Sequence, residues 1–327
     1  MSGPKRSAAA AGRQVGLGER LSVATLLRGY HLAPRVMHRI RPRLVEATWN
    51  RAEPWRRALR ENGRIILGPR ATDAELDDYG RGVLENMQRY MEGLVVAATT
   101  PVDRLLDRIS LVEGLDEFRE VFASRGDRGI VLLSMHMGEF EPAAAYIGRH
   151  LPIHVLYHRD PIATLEGFRR RARRRLGVIE HAVDAGLGTW AELRDALDRG
   201  EAVALLGDRV QPGQVGTPVE VFGRPMDLPI GPFKLAESCG AVVVPVFNWR
   251  RDDGSLAMRM TSPLELAGGD LRRDPSGHPA VRRWASLVES MIAAHPTQWL
   301  NVHPVWRGGS PAVSRGDDAV RHDRSVA

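Results

Sequence analysis

Two regimes of hydrophobic patterning divide the chain. From Leu21 to about residue 127, apolar positions recur at helical spacing. The stripe Leu76, Val83, Leu84, Met87, Tyr90, Met91 and Leu94 predicts one long amphipathic helix over 72–98, with Thr72 and Glu75 opening it as a capping box. The segment 21–45 mixes Leu, Val, Met and Ile with Arg28, Arg35, Arg39, Arg41 and Arg43. Pro34 and Pro42 predict that it breaks into short helices, which either pack on the domain or lie on an anionic bilayer. The stretch 105–122 reads as further helix.

Beyond residue 128 the pattern changes to short apolar runs alternating with helical segments. Strands are expected at 129–134, 153–157, 202–206, 219–222, 241–247 and 256–260. Helices are expected at 142–149, 164–176, 190–198, 233–238 and 281–294. This alternation predicts an α/β fold, with a largely parallel central sheet flanked by helices and an N-terminal helical region ahead of it. The expected organisation is disorder over 1–18, a helical region over 19–127, an α/β core over 128–306 and a disordered tail over 307–327.

Composition narrows the function classes. Hydrophobic residues make up 43% of the 327 and charged residues 26%, proportions of a globular chain. Lysine occurs only at positions 5 and 234, so 44 of the 46 basic residues are arginine, and the net charge is +6. Arginine grips phosphate bidentately and stays protonated, which favours an anionic substrate or surface. The single cysteine excludes an intrachain disulfide and a cysteine zinc cluster, and fits a reducing compartment. No apolar run approaches the roughly 18 residues of a membrane span, so the expectation is a soluble or membrane-surface protein.

The chemistry gathers after the first core strand, in Ser134-Met-His136-Met-Gly-Glu139-Phe-Glu141. A histidine at the C-terminal end of a strand lies where open α/β sheets bind ligands, and imidazole suits a general base. Glu141, at the start of the next helix, is the expected partner for the other ring nitrogen, with Glu139 as the alternative. A GxSxG elbow, an HExxH helix and a Walker A loop are all absent. His150 and His154 share helical spacing, but Pro152 lies between them, so no metal site is expected.

An ordered set of motifs extends this reading. His136-x4-Glu141 is followed by Tyr157-His-Arg159-Asp-Pro161, by an arginine-rich helix running into Gly177, and by Gly200-Glu-Ala-Val203-Ala-Leu-Leu-Gly-Asp208-Arg209. Phe222-Gly-Arg224-Pro225, Leu228-Pro-Ile-Gly-Pro232, Gly240-Ala-Val-Val-Val-Pro245 and Pro296-x-Gln298-Trp299 with Trp306 complete the order. Over about residues 60–306 the chain resembles the bacterial lysophospholipid acyltransferase superfamily. The resemblance is to its branch of lipid A (lauroyl/myristoyl) acyltransferases and phosphatidylinositol mannoside acyltransferases. Two departures bear on the acceptor: arginine-rich short helices stand where lipid A acyltransferases carry a longer apolar anchor, and His158 precedes Arg159 where a tyrosine is common.

The resemblance implies an O-acyltransferase that moves a fatty acyl chain from a thioester to a hydroxyl of a lipid acceptor. In that reading His136 and Glu141 are catalytic, no covalent acyl-enzyme forms, and no cofactor is needed beyond an acyl-carrier protein or coenzyme A thioester as co-substrate. It puts the acceptor headgroup at Arg159, Asp208, Arg209, Gly223 and Arg224, with amides near Gly223 and Gly231 as oxyanion donors. A lipid A-type precursor leads as acceptor. Another glycolipid, a phospholipid, an aryl-polyene-type lipid, or a catalytically silent lipid-binding role are the alternatives. The implied location is peripheral, on the cytoplasmic face of the inner membrane. Arg169, Arg170, Arg171, Arg173, Arg174 and Arg175 put six like charges in seven positions, whose repulsion a partner would relieve. The run is either a solvated helix face or the contact for an anionic membrane surface or an acidic carrier protein. Nucleic acid is disfavoured, because no aromatic residues interleave the cluster.

Overall fold

A computed structural model describes residues 16–211 and 214–307. The chain opens with helices α1 (Leu17–Leu32), α2 (Pro34–Arg51), α3 (Glu53–Ile66), α4 (Asp73–Thr99) and α5 (Val102–Leu106). Strand β1 (Ile109–Glu113), α6 (Leu115–Ser124), β2 (Ile130–Ser134), α7 (Glu141–Ile147), β3 (Ile153–Tyr157), α8 (Ala163–Arg175), β4 (Ile179–Ala182), α9 (Leu187–Asp198) and β5 (Ala202–Leu206) follow. A hairpin of β6 (Gly216–Val221) and β7 (Arg224–Pro229) leads to α10 (Gly231–Cys239), β8 (Val242–Arg250), β9 (Leu256–Met260) and α11 (Pro279–Ala294).

Seven strands form one sheet in the order β1-β9-β8-β2-β5-β3-β4, parallel throughout except for the β8–β9 pair. The α/β expectation therefore holds. The apolar run of β2 is buried on both sides: Val131 and Leu133 join the cluster under α9, α10 and α11, whereas Ile130 and Leu132 meet Phe118 of α6 and Ala143 and Ile147 of α7. That two-faced burial is why the central strands read as unbroken hydrophobic runs rather than as alternating ones.

Four features depart from the expectation. The 19–127 region is not all helical: β1 lies inside it and pairs in parallel with β9 at the sheet edge. Ile109-Ser-Leu-Val-Glu113 is short and only partly buried, so its three apolar residues do not stand out from the helix pattern around it. Pro34 does separate two helices, but Pro42 sits inside α2, where the stripe Met37, Arg41, Val45 and Trp49 holds the helix onto its neighbours. The strand expected at 219–222 is β6, and it belongs to a separate two-stranded antiparallel hairpin rather than to the main sheet. Its partner β7, with Pro225 and Pro229, and the four-residue β4 are additions to the expected strands. At the termini, α1 already begins at Leu17, and Arg307 pairs with Asp227 at 2.7 Å. The rest of the two expected disordered tails lies outside the described residues.

The expected capping box is present: Glu75 N–H donates to Thr72 Oγ1 at 3.3 Å, and Thr72 N–H to Glu75 Oε2 at 2.7 Å. The helix it opens, α4, packs with α1 and α8 around Leu27, Tyr30, Leu94, Leu165, Phe168 and Ala172. The N-terminal helices thus cover α8 and reach the loop that follows β2.

Candidate active site

β2 and β5 are adjacent and parallel, and their register pairs Ser134 with Leu206. Gly207 N–H extends the ladder by donating to Ser134 O at 2.8 Å. His136 and Asp208 therefore stand side by side, each two residues beyond the last aligned pair. His136 Nδ1 lies 2.7 Å from Asp208 Oδ1. The Asp208 side chain is 0% exposed and that of His136 22% exposed, so one partner is sealed and the other faces the site's opening. Burial by itself would raise the Asp208 carboxyl, but the His136 imidazole, Arg209 and the Trp299 N–H outweigh it and hold the group well below the usual carboxylate range. An ionised carboxylate only accepts, so Nδ1 carries the ring proton and Nε2 presents the lone pair.

Sequence alone expects Glu141 on the other ring nitrogen, whereas in the structure Asp208 bonds Nδ1. Glu141 is the first residue of α7 and turns away from the ring: Tyr90 of α4 donates to its Oε1 at 3.2 Å, and Arg169 of α8 lies near it. Burial pushes the Glu141 carboxyl up, with Arg169 and Tyr90 partly offsetting this. Glu141 thereby ties the end of the His136 loop to two helices. Glu141→Gln keeps the hydrogen bond with Tyr90, so its kcat should fall between wild type and Asp208→Asn. Parallel kinetics on the two variants check this, and equal losses would return Glu141 to the ring.

Other contacts fix the loop. Glu139, 3% exposed, pairs with Arg108 at 2.8 Å and with Arg250 at the end of β8. Its carboxylate rests on Gly93 of α4, where any Cβ would collide with it. Gly138 has φ +59°, and a Cβ there would come 2.5 Å from the Asn248 carbonyl, so both its conformation and its neighbour require glycine. From the far end of the chain, the segment after α11 crosses the loop: Leu300 N–H donates to His136 O at 2.7 Å and Gly138 N–H to Gln298 O at 3.3 Å. Gln298 also clamps the end of β8, accepting from Arg250 N–H and donating to Arg250 O, each at 2.7 Å. Trp299 Nε1–H donates to Asp208 Oδ2 at 2.8 Å.

The remaining expected site residues divide. Arg209 follows Asp208 and is largely buried; it donates to Asn301 Oδ1 at 3.2 Å, while its Nε is buried without a hydrogen-bond partner. Burial lowers the Arg209 pKa, Asp208 opposes this, and nearby Arg169 adds a smaller lowering. Arg159 is exposed at the end of β3 and pairs with Asp184 at 3.1 Å. Gly223 and Arg224 form the exposed turn of the β6–β7 hairpin, with Phe222 at φ 53°. Gly231 is the first residue of α10. Asp208 is fully buried, with Oδ1 on His136 and Oδ2 on Trp299.

The arginine run splits by helix geometry. Arg169 bonds Asp160 at 3.0 Å, and Arg173 pairs with Glu166 at 2.8 Å and with Glu180 while lying 4.0 Å from the Tyr157 ring centroid. These two are internal ties and are withdrawn from the expected contact surface. Arg170, Arg171, Arg174 and Arg175 form the exposed face. The roles of Asp208, Trp299, Tyr90, Arg108 and Arg250 escape a reading of the sequence. Trp299 and the Asp208-Arg209 pair are visible there as motifs, but without these partners.

A histidine–carboxylate pair at the strand ends of a parallel α/β sheet belongs here to an acyltransferase. Residues 21–308 match the profile of bacterial lipid A biosynthesis acyltransferases, and the chain belongs to that family. A phosphatidylinositol mannoside acyltransferase of Mycobacterium tuberculosis is 27% identical over 257 residues, 76% of each chain. That of Mycolicibacterium smegmatis is 26% identical over 252 residues, 76% of this chain and 78% of the relative. The protein is a lipid acyltransferase. Among the described residues, no helix is long and apolar enough to cross a membrane.

Proposed function

We propose that the enzyme transfers a fatty acyl chain from an acyl thioester to a hydroxyl of a phosphate-bearing glycolipid at a membrane surface, with His136 as general base. The observation that carries the mechanism is the 2.7 Å bond from His136 Nδ1 to a buried, ionised Asp208. Nε2 takes the proton of the acceptor hydroxyl as its oxygen attacks the thioester carbonyl. The tetrahedral intermediate collapses, the carbon–sulfur bond breaks, and the imidazolium returns the proton to the leaving thiolate. Asp208 offsets the charge of the imidazolium throughout. Because the thioester is already activated, a covalent acyl-enzyme adds nothing. The donor is a carrier-protein or coenzyme A thioester.

The relatives' activity shifts the preferred acceptor from a lipid A-type precursor to a phosphatidylinositol mannoside-type glycolipid. Both carry phosphate, which suits the half-buried Arg209 near Arg169. The test is thiol release and product mass spectrometry with both donor types against a phosphatidylinositol mannoside, a lipid A precursor and a plain phospholipid. Glycolipid-dependent thiol release is expected, and the panel decides between the two glycolipids. Thioester consumption independent of every glycolipid would overturn the proposal.

Access to such an acceptor favours docking by the N-terminal helices. Leu21, Leu32 and Val36 project into solvent, and the segment 20–45 carries five exposed arginines and no acidic residue. α1 packs against α8, with His31 meeting the Phe168 ring edge-on, and the four exposed α8 arginines add further positive charge. Near an anionic surface each basic residue contributes about 1 kcal/mol, screened over roughly a Debye length. Replacing Arg170, Arg171, Arg174 and Arg175 with Gln should therefore weaken co-sedimentation with anionic vesicles and flatten its salt dependence. Activity on a short water-soluble acceptor should persist. Unchanged vesicle binding with loss only of carrier-protein-dependent activity would assign the face to the donor.

A further inference from the structure

We infer that Trp299 is a positioning residue for acyl transfer, acting on His136 through Asp208. The inference rests on the His136–Asp208 reading above and adds a third member supplied by the end of the chain.

Asp208 has two carboxylate oxygens and one useful orientation. Oδ1 must face His136 Nδ1 for the ring to hold its tautomer. A lone carboxylate on a loop after a strand rotates about its side-chain torsions, and each rotation releases the imidazole. The Trp299 indole N–H, 2.8 Å from Oδ2, takes up the other oxygen. The indole cannot follow a rotating carboxylate, because it is 0% exposed and embedded in the main apolar cluster, edge-on to Trp306 with ring centroids 5.8 Å apart. Its backbone is held as well: Trp299 forms an isolated antiparallel bridge to Met137, the residue after the histidine, and the next residue, Leu300, donates to His136 O. One short segment therefore grips the base by its main chain and the carboxylate by its side chain. The indole N–H also stabilises the charged form of Asp208, as one of the influences that lower its pKa.

Trp306 supplies an internal control. It is buried in the same cluster, and its N–H donates at 2.9 Å to the Val221 carbonyl, away from the pair. Trp299→Phe should lower kcat by about 10- to 100-fold, the range for losing a hydrogen bond to a charged group, with little change in acceptor KM. Without the N–H, the Asp208 charge falls more fully on the imidazole, so the acid limb of the pH–rate profile should move to higher pH. Trp306→Phe removes equal volume from the ring that packs on Trp299 and should cost less in kcat than Trp299→Phe, without moving that limb.

Phenylalanine also leaves a void, so the deciding variant carries benzothienylalanine at position 299, which keeps the bicyclic shape and lacks only the N–H. Reduced kcat with a displaced acid limb in this folded variant supports the inference. Wild-type kcat and pH profile overturn it and reduce Trp299 to packing. His136→Ala and Asp208→Asn are run beside it. If they too retain activity, the underlying mechanism has failed; if they are inactive while the isostere is not, only the role of Trp299 has.

Discussion

His136→Ala is expected to lower kcat by about 10²-fold or more while leaving the fold intact, since a positioned general base contributes about 10²- to 10⁴-fold. The side chain faces the opening, so its removal leaves no void inside the apolar clusters. The main-chain bond from Leu300 to His136 O survives any substitution at this position. Thermal denaturation should thus change little while acyl transfer is lost. A folded His136→Ala enzyme with near wild-type turnover would falsify the mechanism. Thiol release without acceptor, measured in the same assay, separates loss of transfer from loss of donor binding.

Asp208→Asn is expected to have an effect of similar or larger size, on the order of 10³-fold in kcat, because the amide preserves shape and loses control of the tautomer. The substituted amide would have to satisfy the imidazole on one side and the Trp299 N–H on the other. With its oxygen toward Trp299, its NH₂ faces Nδ1 and drives the ring proton to Nε2, where it blocks the base. Acid stability gives a second readout. The folded-state pKa of Asp208 is depressed, so its charge contributes stability above the unfolded carboxylate range. That contribution is lost as pH falls through the depressed value. Wild type should therefore exceed Asp208→Asn in melting temperature at neutral pH, and the gap should close on acidification. A constant gap across pH, or unimpaired kcat, would count against the ionised Asp208–His136 pair.

The difference between what can be read from the chain and what cannot follows from distance along it. Strands such as Ile130–Ser134, Ile153–Tyr157 and Ala202–Leu206 are legible because burial on both faces leaves an uninterrupted apolar signature. β1 and β4, at the two edges of the sheet, need no such signature, and β7 is masked by its prolines. His136 is legible because it follows a strand end directly. Its partner is not, because pairing with Asp208 depends on β5 lying next to β2, a fact of strand order and not of local spacing. Glu141, five residues away, is the nearer candidate, but the first turn of α7 aims it at Tyr90 and Arg169. The arginine run is legible as a cluster, yet only the helix phase separates Arg169 and Arg173, held inside, from the four that face solvent.

The segment that crosses the histidine loop comes from residues 298–301, after every strand and α-helix of the sheet has been made. A ribosome delivers the chain from its N-terminus, at about 5–20 residues per second, and the base, its carboxylate and their brace are encoded at positions 136, 208 and 299. On the proposed mechanism, a nascent chain with its sheet complete still lacks the segment that holds the base in place. On that mechanism the chain is inert until residues 298–301 have emerged. A message cut between α11 and residue 298 would keep every strand of the sheet and lose that hold.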